Sequence, residues 1–405
     1  MTLADLEALD RADPLASLRE RFVLPDGVIY LDGNSLGGLP RATAGRVAQV
    51  VEAEWGAGLI RSWNDAGWIS LASRVADKIG RLIGAPAGTV SVGDSTSINV
   101  FKLLAAALSL RPDRRVILSE RSNFPTDLYI AEGLVGLLDR GYSLRLFDEW
   151  PAEIADDVAV VMLTHVHYRT GAMFDMATVT AAAHAVGAVM LWDLAHSAGA
   201  VPVDLAAHDV DLAVGCGYKF LNGGPGAPAF LYIAEGLQDA VRLPLTGWFG
   251  HAAPFAFESG FRPARGIAQA VVGTPPVLSL AALDVGVDTF ADVDMAVVRA
   301  KSLRLFDVFA ELVTQECGGL GLQLVTPPQH GSQICLAHEH AYPIMQALIA
   351  HGAIGDFRAP DVLRFGLTPL YLGFAELWNA VAILRRILED GSWRDERFAV
   401  RQAVT

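Results

Sequence analysis

A single lysine, Lys219, lies between an apolar run and the glycine-rich residues 223–226. The chain has only three other lysines, Lys78, Lys102 and Lys301, whose charged or amphipathic-helix surroundings are those of an ordinary solvated lysine. Lys219 has no acidic neighbour in sequence, so burial would disfavour its ammonium form. The sequence therefore predicts a nucleophilic amine at this position.

An acidic residue, Asp193, ends a second apolar run. A carboxylate facing a pyridinium nitrogen and a lysine facing an aldehyde are the two polar anchors of pyridoxal 5′-phosphate (PLP). A buried carboxylate needs a partner, and a pyridinium supplies one. His196 follows three residues later and would face the same way on a helical turn, but the pair is incomplete as a zinc site. We therefore predict that Lys219 holds PLP as a Schiff base beside Asp193.

Hydroxyl side chains open a predicted helix directly after a strand-like run. Thr96 and Ser97 lie there, and hydroxyls with free backbone N–H groups at a helix start bind phosphate. Serine and threonine are also ordinary helix caps, which is the better interpretation of these residues alone. Beside Lys219 and Asp193, the pattern favours the phosphate of PLP.

Residues 123–127, Asn-Phe-Pro-Thr-Asp, also follow a predicted strand. Phe124 could stack on a pyridine ring, and Asp127 could accept a hydrogen bond near it. Alternatively, Pro125 simply starts a helix with an acidic first turn. Both interpretations stay open on these residues alone.

Two histidines, His165 and His167, are two residues apart on a predicted strand and so share one face. No third ligand has supporting spacing, and residues 168–171 follow as a turn. We expect one histidine to pack near the cofactor and the other to be structural, without a metal site.

Three later positions are further candidates. Trp248 lies between glycines, which indicates an exposed loop where it can touch a ligand, although buried aromatics usually belong to the core. Thr274, in a turn, could donate to a phosphate. Arg364 interrupts an apolar strand, either to bind a substrate carboxylate in bidentate fashion or to snorkel from a sheet edge.

The bulk composition narrows the class of protein. With 405 residues, 52% of them hydrophobic, the chain can bury a large core in more than one domain. A net charge of −14 argues against binding to nucleic acid or to an anionic membrane. The three cysteines have no metal-ligand spacing, and neither a signal peptide nor a membrane-spanning stretch is visible. We therefore expect a cytoplasmic protein.

Short β-branched runs alternate with helical patterns in the middle of the chain, which indicates an α/β fold with a mostly parallel sheet covered by helices on both faces. The predicted strands are 89–92, 115–118, 143–147, 158–163, 188–192, 211–214 and 229–233, and the predicted helices are 96–110, 126–139 and 176–186. Ligands of such sheets bind beyond the carboxyl ends of the strands, where Asp193 and Lys219 emerge.

The pattern changes after residue 280. One long helix is predicted at 279–316, followed by strands at 321–325 and 333–337 and by two more helices. We therefore predict a large PLP-binding domain at 45–282 and a smaller α/β domain built from 1–44 and 283–405.

Together, these motifs resemble the kynureninases, PLP enzymes of fold type I, the aspartate aminotransferase fold. The resemblance runs almost end to end and is most specific in the Asn-Ser-Leu-Gly, Phe-Pro-Thr-Asp and Trp-Phe-Gly-His elements. The matching residues are 31–37, 96–97, 124–127, 193–196, 218–219, 248–251, 274–276, 364 and 369–371.

The resemblance implies a role for each matching residue. Lys219 would carry the Schiff base, Asp193 would pair with the pyridine nitrogen, and Tyr218 would contact the phosphate and move protons. The whole implied cofactor set is Thr96, Ser97, Phe124, Pro125, Thr126, Asp127, Thr170, Asp193, His196, Tyr218, Lys219, Trp248 and Thr274. The implied substrate set is Asn34, Arg364, Trp248 and Phe249, with Arg364 on the α-carboxylate.

The resemblance also implies hydrolysis of L-kynurenine to anthranilate and L-alanine, in tryptophan breakdown or NAD synthesis, by a homodimer. Trp248 and Thr274 would enter the site from the second subunit. Thr274 replaces an asparagine of eukaryotic relatives, which implies a preference for L-kynurenine over its 3-hydroxy derivative.

The cysteines and the retained site residues argue against two other functions. A cysteine desulfurase or selenocysteine lyase needs a reactive cysteine on a flexible loop, whereas Cys335 lies in an apolar run and Cys216 lies too close to Lys219. A non-catalytic PLP-binding protein could have lost Tyr218 or Arg364, and both are present.

Overall fold

The computed structural model of the protein describes residues 1–402. Its helices are α1 (Leu3–Ala12), α2 (Thr43–Gln49), α3 (Ser62–Asp65), α4 (Trp68–Leu82), α5 (Thr96–Leu110), α6 (Pro125–Leu138), α7 (Met176–Ala185), α8 (Val277–Asp288), α9 (Met295–Glu316), α10 (Ala341–Ala350), α11 (Phe374–Asp390) and α12 (Glu396–Ala399). Its strands are β1 (Phe22–Val23), β2 (Ile29–Tyr30), β3 (Leu39–Pro40), β4 (Val90–Val92), β5 (Val116–Glu120), β6 (Ser143–Phe147), β7 (Val158–Thr164), β8 (Val189–Asp193), β9 (Leu212–Gly215), β10 (Phe230–Ile233), β11 (Gln323–Leu324), β12 (Gln333–Ala337), β13 (Ala353–Ile354), β14 (Asp356–Arg358) and β15 (Val362–Gly366).

A seven-stranded sheet dominates the fold, with the strand order β4-β10-β9-β8-β7-β5-β6. Strands β5 to β9 pair in parallel, whereas β10 runs antiparallel to both of its neighbours. The predicted α/β class with a mostly parallel sheet is therefore confirmed. Every predicted strand of this sheet is present, with ends that shift by no more than two residues.

Both faces of this sheet are buried. Along β8, Met190 and Trp192 belong to one hydrophobic cluster, while Leu191 belongs to another on the opposite face. Helices α7 and α8 contribute to the first cluster, and α5 and α6 contribute to the second. Each such buried side chain stabilises the fold by about 1.5–3 kcal/mol, so the continuous apolar strands fix the sheet between its two helical layers.

A second, antiparallel sheet has the order β11-β12-β15-β14. The N-terminal segment packs beside it, because β2 pairs in parallel with β13 and α1 packs on α11. The division into 45–282 and 1–44 with 283–405 remains a proposal, and its boundary falls within α8.

The predicted long helix at 279–316 is wrong. The structure has two helices there, α8 and α9, separated by residues 289–294. Asp292 adopts a left-handed conformation with φ of 62°, and the Asp294 side chain accepts a hydrogen bond from the Ala296 N–H at 2.8 Å. An aspartate that caps the N–H groups of a new helix is a start signal, which the apolar periodicity of this segment concealed.

The expectation that the other lysines are solvated is also wrong. The side chains of Lys102 and Lys301 are only 2% and 6% exposed. Lys102 pairs with Asp94 at 3.1 Å and Lys301 with Asp13 at 2.7 Å. Burial therefore does not set Lys219 apart from the other lysines.

Within residues 1–402, no helix has both the length and the apolar character that crossing a membrane requires.

Candidate active site

A cleft lies at the carboxyl ends of the parallel strands, where β8 ends at Asp193 and the chain beyond β9 leads to Lys219. The helices that follow β4 and β5 begin at the same edge, because parallel strands present all their carboxyl ends on one side. The structure gathers most of the predicted cofactor residues here. The cleft is lined by Thr96, Ser97, Phe124, Thr126, Asp127, Thr164, Tyr168, Asp193, Ala195, His196, Cys216, Tyr218 and Lys219.

The Lys219 amine points at a histidine. Its Nζ lies 3.0 Å from His196 Nε2, and His196 Nδ1 lies 3.0 Å from Gln333 Oε1. Burial, with the nearby positive charge of Lys219, holds the pKa of His196 well below its usual value. The ring is therefore neutral, with Nε2 accepting from Lys219 and Nδ1–H donating to Gln333. Gln333, on β12 of the second sheet, thus orients the neighbour of the reactive amine.

The turn that carries Lys219 packs against the N-terminal segment. The Gly37 N–H donates to the Tyr218 carbonyl at 2.9 Å. A Cβ atom at Gly37 would lie 2.3 Å from the Lys219 carbonyl oxygen, which no real side chain tolerates. Glycine is required here because the two backbones touch.

Two buried carboxyl groups, Asp127 and Asp193, lie side by side beneath the amine. Burial and the charge of Asp193 raise the pKa of Asp127 well above its usual value. Burial also raises the pKa of Asp193. Three contacts lower it again: the charge of Lys219, the hydrogen bond from the Ala195 N–H at 2.7 Å and a hydrogen bond from Asp127. The pair thus carries one proton, on Asp127, and one negative charge, on Asp193.

The cleft has the features that PLP requires. Among residues 1–402, Asp127 Oδ2 is buried without a hydrogen-bond partner, so the pair offers an unused acceptor beside its negative charge. The protonated nitrogen of a pyridine ring matches that combination. The residues present therefore fit the cofactor.

The start of α5 forms the phosphate end of the cleft. Ser95, just before the helix, accepts a hydrogen bond from the Ile98 N–H and is the cap. This assigns the capping function to Ser95 and leaves the hydroxyls of Thr96 and Ser97 at the first two helical positions, lining the cleft. The positive end of this 15-residue helix adds its dipole to those donors.

Residues 123–127 start a helix and also line the cleft. Pro125 is the first residue of α6, as a helix-starting proline should be. Phe124 precedes it, 38% exposed, with its ring 6.0 Å from Lys219 Nζ and edge-on to Tyr168. The helix start therefore presents Phe124 and Thr126 to the cleft while it buries Asp127.

The Tyr218 ring also contacts the amine region, with its centroid 5.8 Å from Lys219 Nζ. Burial, with Cys216 and Asp193 nearby, raises the pKa of Tyr218 to about 12. Its hydroxyl is therefore protonated at neutral pH and available as a proton donor.

Arg364 is not a snorkelling edge residue. It is 1% exposed and lies on β15, which is flanked by β12 and β14. Its Nε donates to Asp356 Oδ1 at 2.8 Å, its Nη2 donates to the same carboxylate and to Ser35 Oγ, and its Nη1 donates to the Tyr168 carbonyl. Tyr168 lines the cleft and Arg364 itself does not, so the guanidinium lies directly behind a residue of the cleft wall.

Five predicted residues lie outside this cluster. Trp248 and Phe249 pack with Trp63, Phe255 and Phe257 instead.

The remaining three have different surroundings. Thr274 lines a separate cavity beside Asp94 and Lys102. The Thr170 hydroxyl is engaged within its own turn, by the Ala172 N–H. Asn34 is completely buried, and its side-chain amide has no partner in the described part of the chain. The roles of all five remain predictions.

Neither of the two histidines of β7 and its turn lines the cleft, although the His167 ring packs against Tyr168, which does. The expectation that one of them lies near the cofactor stays a prediction. His165 Nδ1 lies 2.9 Å from Ser197 Oγ, and burial lowers the pKa of His165 to about 4. His167 Nε2 donates to the Ser122 carbonyl at 2.8 Å. Across residues 1–402, no three His, Cys, Asp or Glu side chains are arranged to hold a metal ion.

Sequence reasoning missed three residues of the site. Thr164 and Tyr168 line the cleft, and Gln333 orients His196. The only signal for Gln333 was a polar residue at the start of an apolar strand. Thr164 ends β7 at the same edge as Asp193, a position that the parallel sheet alone would have indicated.

Comparison with known proteins agrees with this geometry. Residues 298–384 match the family described as the kynureninase C-terminal domain. A kynureninase from Burkholderia pseudomallei (strain 1106a) is 57% identical over 408 residues, covering 98% of each chain. A kynureninase from Pseudomonas fluorescens is 54% identical over 414 residues, covering 100% of each.

Solved structures show the same fold at much lower identity. The cysteine desulfurase CsdA from Escherichia coli superimposes with a TM-score of 0.76 at 20% identity, covering 93% of this chain and 98% of its own. A C-DES mutant with glycine covalently linked to the PLP cofactor gives a TM-score of 0.77 at 15% identity, covering 91% and 98%. With identities above 50% over nearly its whole length, the chain belongs to the kynureninase family of PLP-dependent fold type I enzymes.

Proposed function

We propose that the protein hydrolyses the Cβ–Cγ bond of L-kynurenine and releases anthranilate and L-alanine. One observation carries this proposal: the Lys219 amine, the Asp127–Asp193 pair and the start of α5 line a single cleft, with Arg364 directly behind its wall. When bound there, PLP supplies the electron sink that lets a carbon next to the amine lose a proton.

Lys219 has two tasks. Its Nζ would hold the aldehyde of PLP and, when free, would take the proton from the α-carbon of the substrate. Neutral His196 accepts a hydrogen bond from Nζ and keeps the amine aimed into the cleft. Asp193, negatively charged, would hold the protonated ring nitrogen of PLP, and Asp127 stabilises the charge of Asp193 by donating a hydrogen bond to it.

Tyr218 acts in the second half of the reaction, when water adds to the γ-carbonyl and the Cβ–Cγ bond breaks. Its hydroxyl is protonated at neutral pH and lies in the same cleft as Lys219. It would donate the proton that Cβ takes up when the Cβ–Cγ bond breaks, and it would contact the phosphate of bound PLP.

The substrate is held by Arg364 through its α-carboxylate, with Asn34 beside the same region. Asn34 is close to β15, since a Cβ atom on Gly366 would meet its side-chain oxygen. Thr274 would favour L-kynurenine over its 3-hydroxy derivative. The three cysteines are free and buried, which supports a reducing, cytoplasmic setting.

A cysteine desulfurase is the second candidate, because proteins of that activity share the fold. The thiols of this chain argue against it. Cys335 is fully buried on β12, where burial raises its pKa to about 11, and Cys216 is buried directly before the Tyr218–Lys219 turn. A thiol that must attack a substrate needs exposure and a lowered pKa.

The test is to add L-kynurenine or L-cysteine to the purified holoenzyme. We expect anthranilate fluorescence to rise with L-kynurenine, with L-alanine formed in equal amount, and no sulfide to appear with L-cysteine. Sulfide release without anthranilate would replace this proposal with the desulfurase.

We further propose that two subunits share each site. Trp248 is 40% exposed and lies apart from its own chain's cleft, and Phe255 and Phe257 beside it are 65% and 78% exposed. Such an aromatic surface is typical of an interface. Trp248, Phe249 and Thr274 would then complete the partner's site.

Mixed dimers test this arrangement. The Lys219→Ala protein should be inactive and the Trp248→Ala protein weakly active. Their mixture, after subunit exchange, should recover about a quarter of wild-type activity, because half of the dimers regain one intact site. Activity equal to the sum of the separate variants would mean that each site is built from one chain.

A further inference from the structure

The Arg364 guanidinium is already paired with an acid. Asp356 on β14 and Arg364 on β15 are opposite each other in register, and both side chains are 1% exposed. Arg364 donates to both oxygens of that carboxylate. An ion pair of this kind is close to neutral, so it attracts a further carboxylate only weakly.

A second arginine contacts the same acid. Arg358 lies two residues beyond Asp356 on β14 and therefore on the same face. Its Nη2 donates to Asp356 Oδ2 at 2.6 Å, its side chain is 36% exposed, and its Nε is buried without a partner in the described residues. Arg358 has no established part in the activity proposed above.

Ser35 joins the two arginines. Its hydroxyl donates to Asp356 Oδ2 at 2.7 Å and accepts from Arg364 Nη2 at 2.9 Å, with Arg358 Nη2 at 3.5 Å. Ser35 directly follows the buried Asn34. The network therefore connects both arginines to the segment that we expect to contact the substrate.

The remaining charged group facing the network is Asp32, on the loop after β2. Burial and the charge of Asp356 raise the pKa of Asp32 to about 7, while Arg364 and Arg358 act against the rise. One of its oxygens is buried without a partner within residues 1–402. Two arginines thus donate to the single carboxylate of Asp356, and the raised pKa of Asp32 favours its neutral form, so part of their positive charge is left unpaired. Without Arg358, this excess of positive charge would be lost.

We propose that Arg358 is a positioning residue for the substrate carboxylate. It shares Asp356 with Arg364, so that Arg364 keeps its orienting ion pair and still presents a net positive charge to the substrate. This inference rests on the proposed binding of the α-carboxylate by Arg364.

The experiment compares Arg358→Gln, Arg358→Lys and wild type. We expect Arg358→Gln to raise KM for L-kynurenine on the order of tenfold, as for loss of one charged hydrogen-bond partner, with little change in kcat. The absorption spectrum of bound PLP should not change. Arg358→Lys keeps the charge and should recover most of the lost affinity.

A ligand without the carboxylate separates charge from structure. L-Kynurenine lacking its α-carboxyl group should bind Arg358→Gln and wild type equally well, as measured by its shift of the cofactor absorption. Arg145→Gln is the matched control, because Arg145 also pairs with an acid, Asp157, and is 44% exposed, but lies on the far edge strand β6. It should keep the wild-type KM.

The KM of the variants and their discrimination for the carboxylate decide the inference. A wild-type KM in Arg358→Gln, or an equal loss of affinity for the ligand without a carboxylate, would overturn it. Should Arg358→Gln not fold, a wild-type KM in a folded Arg358→Met protein would overturn it equally. If Arg364→Met still distinguished L-kynurenine from the ligand without a carboxylate, the proposed role of Arg364 would fail as well. If Arg364→Met lost this distinction while Arg358→Gln kept it, the role of Arg358 alone would be rejected.

Discussion

Replacing Lys219 with alanine should eliminate turnover of L-kynurenine. The variant loses both the covalent attachment of the cofactor and the base that removes the α-proton. A positioned base alone contributes about 10²–10⁴-fold, so we expect a loss beyond ~10⁴-fold. The check combines steady-state anthranilate formation with borohydride reduction of the PLP-loaded protein and mass analysis of the labelled peptide.

The labelled peptide of wild type should contain position 219. Lys78→Ala is the matched control, because Lys78 lies outside the cleft, paired with Asp284 and Asp288. It should keep both activity and label. Cofactor fixed to Lys102 or Lys301, the two buried lysines, would contradict the assignment of Lys219.

Replacing Tyr218 with phenylalanine should separate cofactor binding from turnover. The ring remains near Lys219, whereas the protonated hydroxyl is removed. We expect bound PLP to be retained and kcat to fall by about 10²–10⁴-fold, the usual contribution of a positioned proton donor. The measurement is kcat at saturating L-kynurenine, together with the PLP content of the purified variant.

Tyr129→Phe serves as the control, since Tyr129 is on α6 and 66% exposed. It should have the activity of wild type. If Tyr218→Phe kept full turnover, another group would have to move the proton, and Tyr218 would be confined to contact with the phosphate.

The position of the cleft could be predicted from sequence because it depends on local patterns. Polar candidate residues such as Asp193 follow apolar runs that are predicted to be strands. Parallel strands bring their carboxyl ends, and therefore these residues, to one edge of the sheet. The interpretation of Thr96 and Ser97 needed the structure for a local reason. Only the observed cap at Ser95 showed that their hydroxyls are not used by the helix itself.

Contacts between distant segments could not be predicted. Gln333 meets His196 across 137 positions of sequence, and nothing near either residue signals the pairing. The alternatives for Arg364 were undecided because the choice depends on strand order, which places β15 between two neighbours. The burial of Lys301 was missed because its partner, Asp13, comes from the opposite end of the chain.

The hydrogen bond between Gln333 and His196 bears on how the chain could be shortened. A fragment that ended before β12 would contain Lys219, Asp193 and the start of α5, and thus every anchor for the cofactor. It would lack Gln333, whose side-chain amide orients the His196 imidazole, and Arg364, which we expect to bind the substrate carboxylate. Such a truncated protein would lose the groups that complete the catalytic site, so the catalytic unit is not modular.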